Sequence, residues 1–294
     1  MIGHFRNTDS VWDKFARRSL LKASSWLLFA SLALVFATCM PMANAQAAPV
    51  QIPLRIAAAA DLQPVLPPII EQFRQTTGIQ AEVTYQASAA LTAQIQNGAP
   101  FDLFLSADLS YPKRLIDAGV ADTGGVVGAN GMSDSSTPVT YARGTLVLWT
   151  RKDSHWPSPS LDTLRDPGLQ RLAIANPDRA PYGRAAMAAL NSLKLIDSLK
   201  PKLVTAENIS QAAQFAETGN ADAGLISLTS ASTAHLQSIG SYFVMPANLY
   251  PSIEQGAVIV TNSNQRQNAH KFLDFLLSPA IQQQLAKAGL TPVR

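Results

Sequence analysis

The sequence predicts an α/β fold, because short apolar runs of strand length alternate with longer segments of helical periodicity from residue 54 onward. Strands that alternate with helices in this way form parallel sheets. The run 101–107 (FDLFLSA) is apolar at almost every position, which is typical of a strand buried on both faces. We therefore expect mostly parallel sheets flanked by helices.

Residues 1–45 have the features of an export signal and are left out of the predicted fold. Basic residues come first, an uncharged run follows over 23–42, and ANAQA offers cleavage sites after Ala45 and Ala47. Arg17-Arg18 resembles the pair of a twin-arginine signal. A membrane anchor is the alternative, but the cleavage sites and the lack of basic residues beyond the run favour removal.

The charge of the chain belongs to its first segment. Residues 1–45 carry five basic and two acidic residues, a net charge of +3 that equals the charge of the whole chain. The remaining part, about 249 residues, is neutral, so it has no basic surface for nucleic acid. It also has no cysteine, because Cys39 lies in the predicted signal. This length suffices for one large domain or two lobes.

The predicted elements follow one another in a regular order. Pro67 and Pro68 interrupt the first helical pattern, 61–78, so the helix is expected to restart there. A helix beginning at Ser88 is expected to stop at Gly98, and Ser278-Pro279 open the last helix. The predicted strands are 54–60, 81–86, 101–107, 144–150, 172–176, 202–206, 223–228 and 256–262, and helical patterns follow most of them.

No catalytic constellation is evident in the sequence. The H-E-x-x-H, C-x-x-C, G-x-S-x-G and phosphate-loop patterns are absent, and His155, His235 and His270 are scattered. The segment SYPK (110–113) matches S-x-x-K, but no partner motif follows it. The sequence therefore predicts a protein that is not an enzyme and has no catalytic residues, cofactor or bare metal ion.

The junctions between strands and helices offer a different chemistry. At Asp61, Ser88, Tyr182 and Ile209 a predicted strand gives way to a helix within a few small or polar residues. Free N–H groups at a helix start bind anions, and in open parallel sheets these junctions meet at one edge. Taken singly, Asp61 and Ser88 are better explained as ordinary helix caps, and Tyr182 as a packed aromatic residue.

The segment YQASAALTAQIQNGAPFDLFLSAD (85–108) resembles the signature of the periplasmic molybdate-binding proteins of ABC transporters. The resemblance continues, in order, in RIAAAADL (55–62), ANPDRAPYGRAA (175–186), PKLVTAENISQA (201–212) and GNADAGLISL (219–228). It implies a two-lobed periplasmic binding protein fold whose ligand cleft lies between the lobes. The expected lobes are 51–140 plus 253–294, and 141–252.

The resemblance also implies binding residues. Ser88 falls on a ligand serine that donates its hydroxyl and its N–H, whereas Tyr182 and Ile209 fall on positions that donate backbone N–H groups. Asp61, or Ala60 if the alignment slips by one residue, occupies a position that is often Ser or Asn. We expect the Asp61 carboxylate to cap its helix while its N–H binds. Ser227 stands where many relatives have tyrosine, so it would reach the ligand through water or not at all.

The main hypothesis is a monomeric, exported receptor that binds molybdate or tungstate and delivers it to an inner-membrane ABC permease. A receptor for another tetrahedral oxyanion is the first alternative, because Asp61 could accept the proton of hydrogen phosphate. An exported enzyme acting on a phosphorylated or sulfated small molecule is the second. A third alternative is a sensor or docking module whose ligand switches a partner.

Overall fold

The structure is a computed structural model that describes residues 52–126 and 136–293. The predicted signal peptide and both of its cleavage sites therefore lie outside the described residues. Residues Gln51–Arg294 form one compact unit.

The described strands are arranged in two sheets. In chain order they are β1 (Leu54–Ala59), β2 (Ala81–Gln86), β3 (Leu103–Ser106), β4 (Ala121–Asp122), β5 (Val139–Gly144), β6 (Leu146–Arg151), β7 (Leu172–Ala175), β8 (Leu203–Ala206), β9 (Ala223–Ser227), β10 (Gly240–Val244) and β11 (Ile253–Val260).

Helices flank both sheets. They are α1 (Leu66–Thr77), α2 (Ser88–Gln96), α3 (Ser110–Asp117), α4 (Pro181–Ser192), α5 (Ile196–Leu199), α6 (Ile209–Glu217), α7 (Leu228–Ala231), α8 (Ala234–Ile239), α9 (Arg266–Leu276) and α10 (Pro279–Lys287). Single 3-10 turns occur at Ala60–Leu62, Leu161–Arg165, Lys200–Lys202 and Ala247–Leu249.

The α/β fold with two lobes is confirmed, but the sheets are mixed rather than mostly parallel. The first has the order β2-β1-β3-β11-β4, and β5 also pairs with β11. Its β1 runs parallel to β2 and β3, whereas β11 runs antiparallel to all three of its neighbours. The second sheet has the order β10-β6-β9-β7-β8, and β6 is antiparallel to both of its neighbours. Each sheet thus contains one strand that arrives from the other lobe and runs antiparallel to its neighbours: β11 in the first sheet and β6 in the second.

The chain passes between the sheets twice. It leaves the first sheet at the end of β5 and enters the second with β6, so that Thr145 is the single connecting residue. It returns between β10 and β11. β5 therefore stays in the first sheet up to Gly144, beyond the limit at residue 140 that the sequence predicts for the first lobe. The limits of the lobes remain a prediction.

One local prediction holds in the structure, and one edge strand was not predicted. Helix α1 begins at Leu66 with proline in its first turn, where a missing N–H leaves no helical hydrogen bond unmade. It therefore restarts after the 3-10 turn Ala60–Leu62, as the sequence predicts. Strand β10 has no counterpart among the predicted strands, because it is an edge strand with exposed Tyr242 and Val244.

The first sheet is buried on both faces because its central strands alternate between two apolar layers. Ile56 and Leu105 belong to the layer under α1 and α9, where the rings of Phe73 and Phe272 meet edge to face at 5.0 Å. Phe104 belongs to the opposite layer, with residues of α2 and α3. This sandwich fixes the ends of β1 and β3, which lead directly into the candidate site.

Candidate functional site

Strand ends from both sheets converge on one buried cavity. It is lined by Ala59, Ala60, Asp61, Gln86, Ala87, Ser88, Ala107, Ala180, Pro181, Tyr182, Asn208 and Ile209. Four of the five residues predicted for the site, Asp61, Ser88, Tyr182 and Ile209, are therefore together. The cavity volume is about 10 Å³, close to the space that one water molecule needs.

Helix starts supply most of the cavity wall. Ser88, Tyr182 and Ile209 lie in the first turns of α2, α4 and α6, where N–H groups have no acceptor within the helix. No hydrogen bond between described residues uses the N–H of these three residues. The next N–H of α2, that of Ala89, donates to the Arg179 carbonyl oxygen of the other lobe at 3.2 Å. Residues whose backbone N–H groups have no partner in the described part of the chain therefore line the cavity from both lobes.

Ser88 does not cap its helix, so the capping explanation that the sequence allowed for this residue alone is wrong. The cap position belongs to Ala87, and Ser88 is the first residue of α2. The Ser88 Oγ instead accepts a hydrogen bond from the Ala107 N–H at 3.2 Å. This bond uses the hydroxyl as an acceptor and leaves its own proton free to be donated. The buried hydroxyl is thus held as a donor at the cavity wall.

Asp61 does not cap a helix either. The 3-10 turn that contains it has no side-chain cap, and the fully buried carboxylate crosses to other elements. Its Oδ2 accepts hydrogen bonds from the Tyr182 hydroxyl, at 3.2 Å, and from the Gln255 side-chain amide. Its Oδ1 has no hydrogen-bond partner among the described residues. The prediction of capping is wrong because this side chain joins the two lobes.

Burial dominates the acidity of Asp61. Desolvation raises the pKa of its carboxyl from 3.8 to about 6, against the opposing effects of the hydrogen bonds from Gln255 and Tyr182 and of its own N–H. Burial, together with the negative charge of Asp61, raises the pKa of the Tyr182 hydroxyl well above 10.0. Tyr182 is therefore a hydrogen-bond donor at any physiological pH.

Gly144 makes room for the Tyr182 hydroxyl at the lobe junction. A Cβ on Gly144 would lie 2.2 Å from that oxygen, far inside contact distance. This close approach lets the Tyr182 ring from α4 reach Asp61 under the crossing between β5 and β6.

Ser227 lies apart from the lining of the cavity. It ends β9 and caps α7: its Oγ accepts a hydrogen bond from the Ser230 N–H at 3.2 Å and lies 2.9 Å from the oxygen of the Thr229 hydroxyl. Its own proton goes to the Ser230 hydroxyl. All of these partners lie within three residues of Ser227, and its side chain caps α7. Its contact with a ligand stays a prediction.

Three further side chains hold the turn around Asp61, and the sequence interpretation did not identify them. The hydroxyls of Ser210 and Thr229 donate to the carbonyl oxygens of Ala60 and Asp61, each at 2.8 Å. Gln255, on β11, holds the Asp61 carboxylate. No spacing in the sequence marks these residues, because each contact joins positions more than 140 residues apart.

A second set of contacts closes the outer rim between the lobes; we call it the rim clasp, made by Asp108, Tyr111 and Arg184. Arg184, from α4, forms an ion pair with Asp108 and donates to the Tyr111 hydroxyl at 3.2 Å. Its guanidinium also lies 5.3 Å from the centre of the Tyr111 ring. The clasp is more exposed than the cavity, so its ion pair is screened by solvent.

The described histidines and acids form no metal site. No cluster of three or more His, Cys, Asp or Glu side chains occurs within residues 52–126 and 136–293. In the same part of the chain, none of the helices combines the length and the apolar character needed to cross a membrane. His235 pairs instead with Glu217 at 2.6 Å, and His270 with Asp274 at 2.8 Å.

Comparison with known proteins agrees with this geometry. Residues 54–291 match the family described as "Bacterial extracellular solute-binding protein". The molybdate-binding protein ModA of Azotobacter vinelandii is 37% identical over 235 residues, 80% of this chain and 86% of that protein. ModA of Rhodobacter capsulatus is 34% identical over 263 residues, covering 88% and 93% of the two chains.

Solved structures show the same fold. The periplasmic molybdate-binding protein of Azotobacter vinelandii superposes with a TM-score of 0.72 at 31% identity, over 81% of this chain and 98% of that one. The sulfate-binding protein SubI of Mycobacterium tuberculosis has a TM-score of 0.66 at 19% identity, over 82% and 86%, and shares the fold. The two mixed sheets, the cavity between them and the match over most of its length together show that this chain belongs to the bacterial extracellular solute-binding proteins.

Proposed function

We propose that this protein is a receptor for molybdate or tungstate that delivers the oxyanion to an inner-membrane ABC permease. The observation that carries the proposal is that one cavity is lined from both lobes by residues whose N–H groups have no described partner, together with Ser88, and by no lysine or arginine. Apart from Asp61, the lining residues are uncharged, and their backbone N–H groups and the Ser88 hydroxyl suit a small anion without a proton. The ModA names of relatives at 34–37% identity support this ligand class.

The proposed binding residues are Ser88, through its hydroxyl and N–H, and Tyr182, Ile209 and Asp61 through their backbone N–H groups. Ser227 would act only through water. The five heavy atoms of an oxyanion exceed the present cavity, so loading would require the lobes to part and close again about the two crossings near Thr145 and between β10 and β11.

The remaining parts of the proposal concern the context of the receptor. It would be exported to the periplasm by the signal in residues 1–45, with cleavage near Ala45 or Ala47, and act there as a monomer without a cofactor. The relatives named above are binding proteins, which favours transport over catalysis. The lobes would comprise 51–140 with 253–294, and 141–252.

A thermal-shift series on residues 48–294 tests the ligand. Molybdate, tungstate, sulfate and phosphate are compared at equal concentration. A ligand at 100 times its dissociation constant stabilises the folded protein by about 2.7 kcal/mol, which raises Tm by about 5–10 °C at this size. We expect this shift with molybdate and tungstate only.

Two serine variants make the test specific. Ser88→Ala removes the hydroxyl donor at the cavity and should reduce the shift strongly. Ser227→Ala removes a buried hydroxyl that does not line the cavity and would act only through water, so it should reduce the shift far less than Ser88→Ala does. A shift with phosphate alone would favour the alternative oxyanion receptor, and no shift with any anion would contradict the proposal.

A further inference from the structure

The Asp61 carboxylate is out of place in a cavity proposed for a doubly charged anion. It is fully buried and lines the same cavity as Ser88 and Tyr182. An ionised carboxylate there would bring the buried charge of the loaded site to three negative charges with no water to screen them. Buried charge without a counter-ion is strongly unfavourable.

No cation compensates Asp61. Within residues 52–126 and 136–293, no lysine, arginine or histidine lies within ion-pair distance of its carboxylate. The 3-10 turn around Asp61 packs on α6, α7 and β2. The ionisable side chains of these elements are Glu217, which binds His235, and Glu82 and Tyr85. None of them can carry a positive charge.

The elements that reach the carboxylate from the other side add no counter-charge either. Tyr182 of α4 donates to it, and Tyr141 of β5 feels its negative charge. The arginines of these two elements have other partners: Arg184 binds Asp108, and Arg143 binds Glu254 of β11. The only further contact from β11 is the uncharged amide of Gln255.

The hydrogen bonds of the carboxyl group show where a proton would go. Oδ2 is occupied by the donors of Tyr182 and Gln255, whereas Oδ1 has no partner in the described part of the chain. A proton on Oδ1 would therefore break no existing bond. It would also remove the negative charge of a residue that lines the cavity.

We propose that Asp61 is a neutral carboxylic acid in the loaded receptor, so that capture of one oxyanion dianion takes up one proton from solvent at Oδ1. This inference rests on the proposed function. The oxyanion arrives with its two charges, the proton comes from water or buffer, and the loaded site carries two negative charges instead of three. Receptor affinity is thereby linked to pH through a residue outside the set of neutral donors.

The change of ligand affinity with pH follows from the pKa of Asp61. Burial raises the pKa of Asp61 to about 6 before any anion is bound, and a nearby dianion would raise it further. Above that value the empty receptor is ionised and must gain a proton to bind. Affinity should then fall about tenfold for each pH unit. Molybdate itself carries no proton in this range, so the change would belong to the protein.

Isothermal titration calorimetry with molybdate between pH 7 and 8.5 tests the inference. Titrations in two buffers of different protonation enthalpy count the protons taken up. We expect close to one proton per molybdate at pH 8 and a roughly thirtyfold fall in affinity over the range. Asp61→Asn should bind with no proton uptake, show a flat pH profile, and bind about 100-fold more tightly than the unmodified protein at pH 8.

Asp102→Asn is the matched control. Asp102 is also a buried aspartate, but it accepts hydrogen bonds from the Arg55 N–H and the Ser263 hydroxyl and does not line the cavity. This variant should keep the proton uptake. If either variant fails to fold, an infrared difference spectrum of the unmodified protein at pH 7.5 decides, because molybdate should produce the carbonyl band of a protonated carboxyl group.

The outcomes separate this inference from the proposed function. Molybdate binding without proton uptake and with constant affinity would overturn the inference and leave the receptor in place. Uptake that persists in Asp61→Asn would overturn it as well, since another group would then take the proton. Tight phosphate binding that Asp61→Asn abolishes would make Asp61 an acceptor for the ligand's proton, again against the inference. Failure of molybdate and tungstate to bind at any pH would refute the proposed function itself.

Discussion

Replacing Asp61 by asparagine should change how the stability of the ligand-free protein depends on pH. The carboxyl has a pKa of about 6 in the folded protein, mainly because burial disfavours its charged form, against 3.8 as the reference value. The folded state therefore binds the proton more tightly than the unfolded state. The stabilising effect is complete below pH 3.8 and is lost as the pH rises through about 6.

The magnitude follows from the shift in pKa. About two pH units correspond to about 3 kcal/mol of differential stability between the neutral and charged forms. Asparagine resembles the neutral acid, and its amide oxygen can accept the same bonds from Tyr182 and Gln255. The difference in free energy of unfolding, variant minus unmodified protein, should therefore rise by about 2.5 kcal/mol between pH 4 and pH 8, because a small part of the effect already occurs below pH 4.

Urea unfolding of both proteins at each pH measures this difference, and other titrating groups cancel in the subtraction. The change should fall mainly between pH 4 and pH 6.5. Two stability curves that run parallel from pH 4 to pH 8 would refute the reasoning, because they would mean that the buried carboxyl has an ordinary pKa in the folded protein.

Three further outcomes are expected. Tyr182→Phe removes a hydrogen bond that favours the charged form of Asp61, so the pKa of Asp61, read from the NMR shift of its side-chain carboxyl carbon, should rise further. Arg184→Gln opens the rim clasp at a partly exposed position; stopped-flow fluorescence should show ligand dissociation faster by up to about fivefold, with nearly unchanged association. Phe272→Ala empties a fully buried contact with Phe73 and should lower the free energy of unfolding by about 3–5 kcal/mol in urea, without changing affinity by more than about twofold.

Much of the fold could be predicted from the sequence because burial on both faces leaves a direct signature. The apolar runs at β1, β3 and β7 have no competing explanation, and the pair Pro67-Pro68 marks the start of α1. The direction of β11 could not be predicted in this way. Whether a buried strand runs parallel or antiparallel depends on the neighbour it meets, and the neighbours of β11 lie more than 100 residues earlier.

The site shows the same division between local and distant information. The helix starts at Ser88, Tyr182 and Ile209 are local features, and the sequence predicts their positions closely. The hydrogen-bond partners of the polar side chains, in contrast, lie far away in the sequence. Ser88 is a favoured cap residue, yet its oxygen satisfies the N–H of Ala107, and Asp61 turns to a tyrosine 121 positions away. Residue propensity indicates that Ser and Asp can cap a helix, but the groups that surround them in the folded protein determine which hydrogen bonds they form.

The absence of lysine and arginine from the described lining of the cavity has a consequence for the medium in which the receptor works. Attraction between exposed charges fades as salt rises, whereas backbone dipoles and hydroxyls that face a buried ion are screened far less. The neutral charge of residues 46–294 likewise provides no long-range steering of anions. Ligand affinity and association rate should therefore change little between low and high salt concentration. This independence would suit a receptor that works where the ionic strength varies.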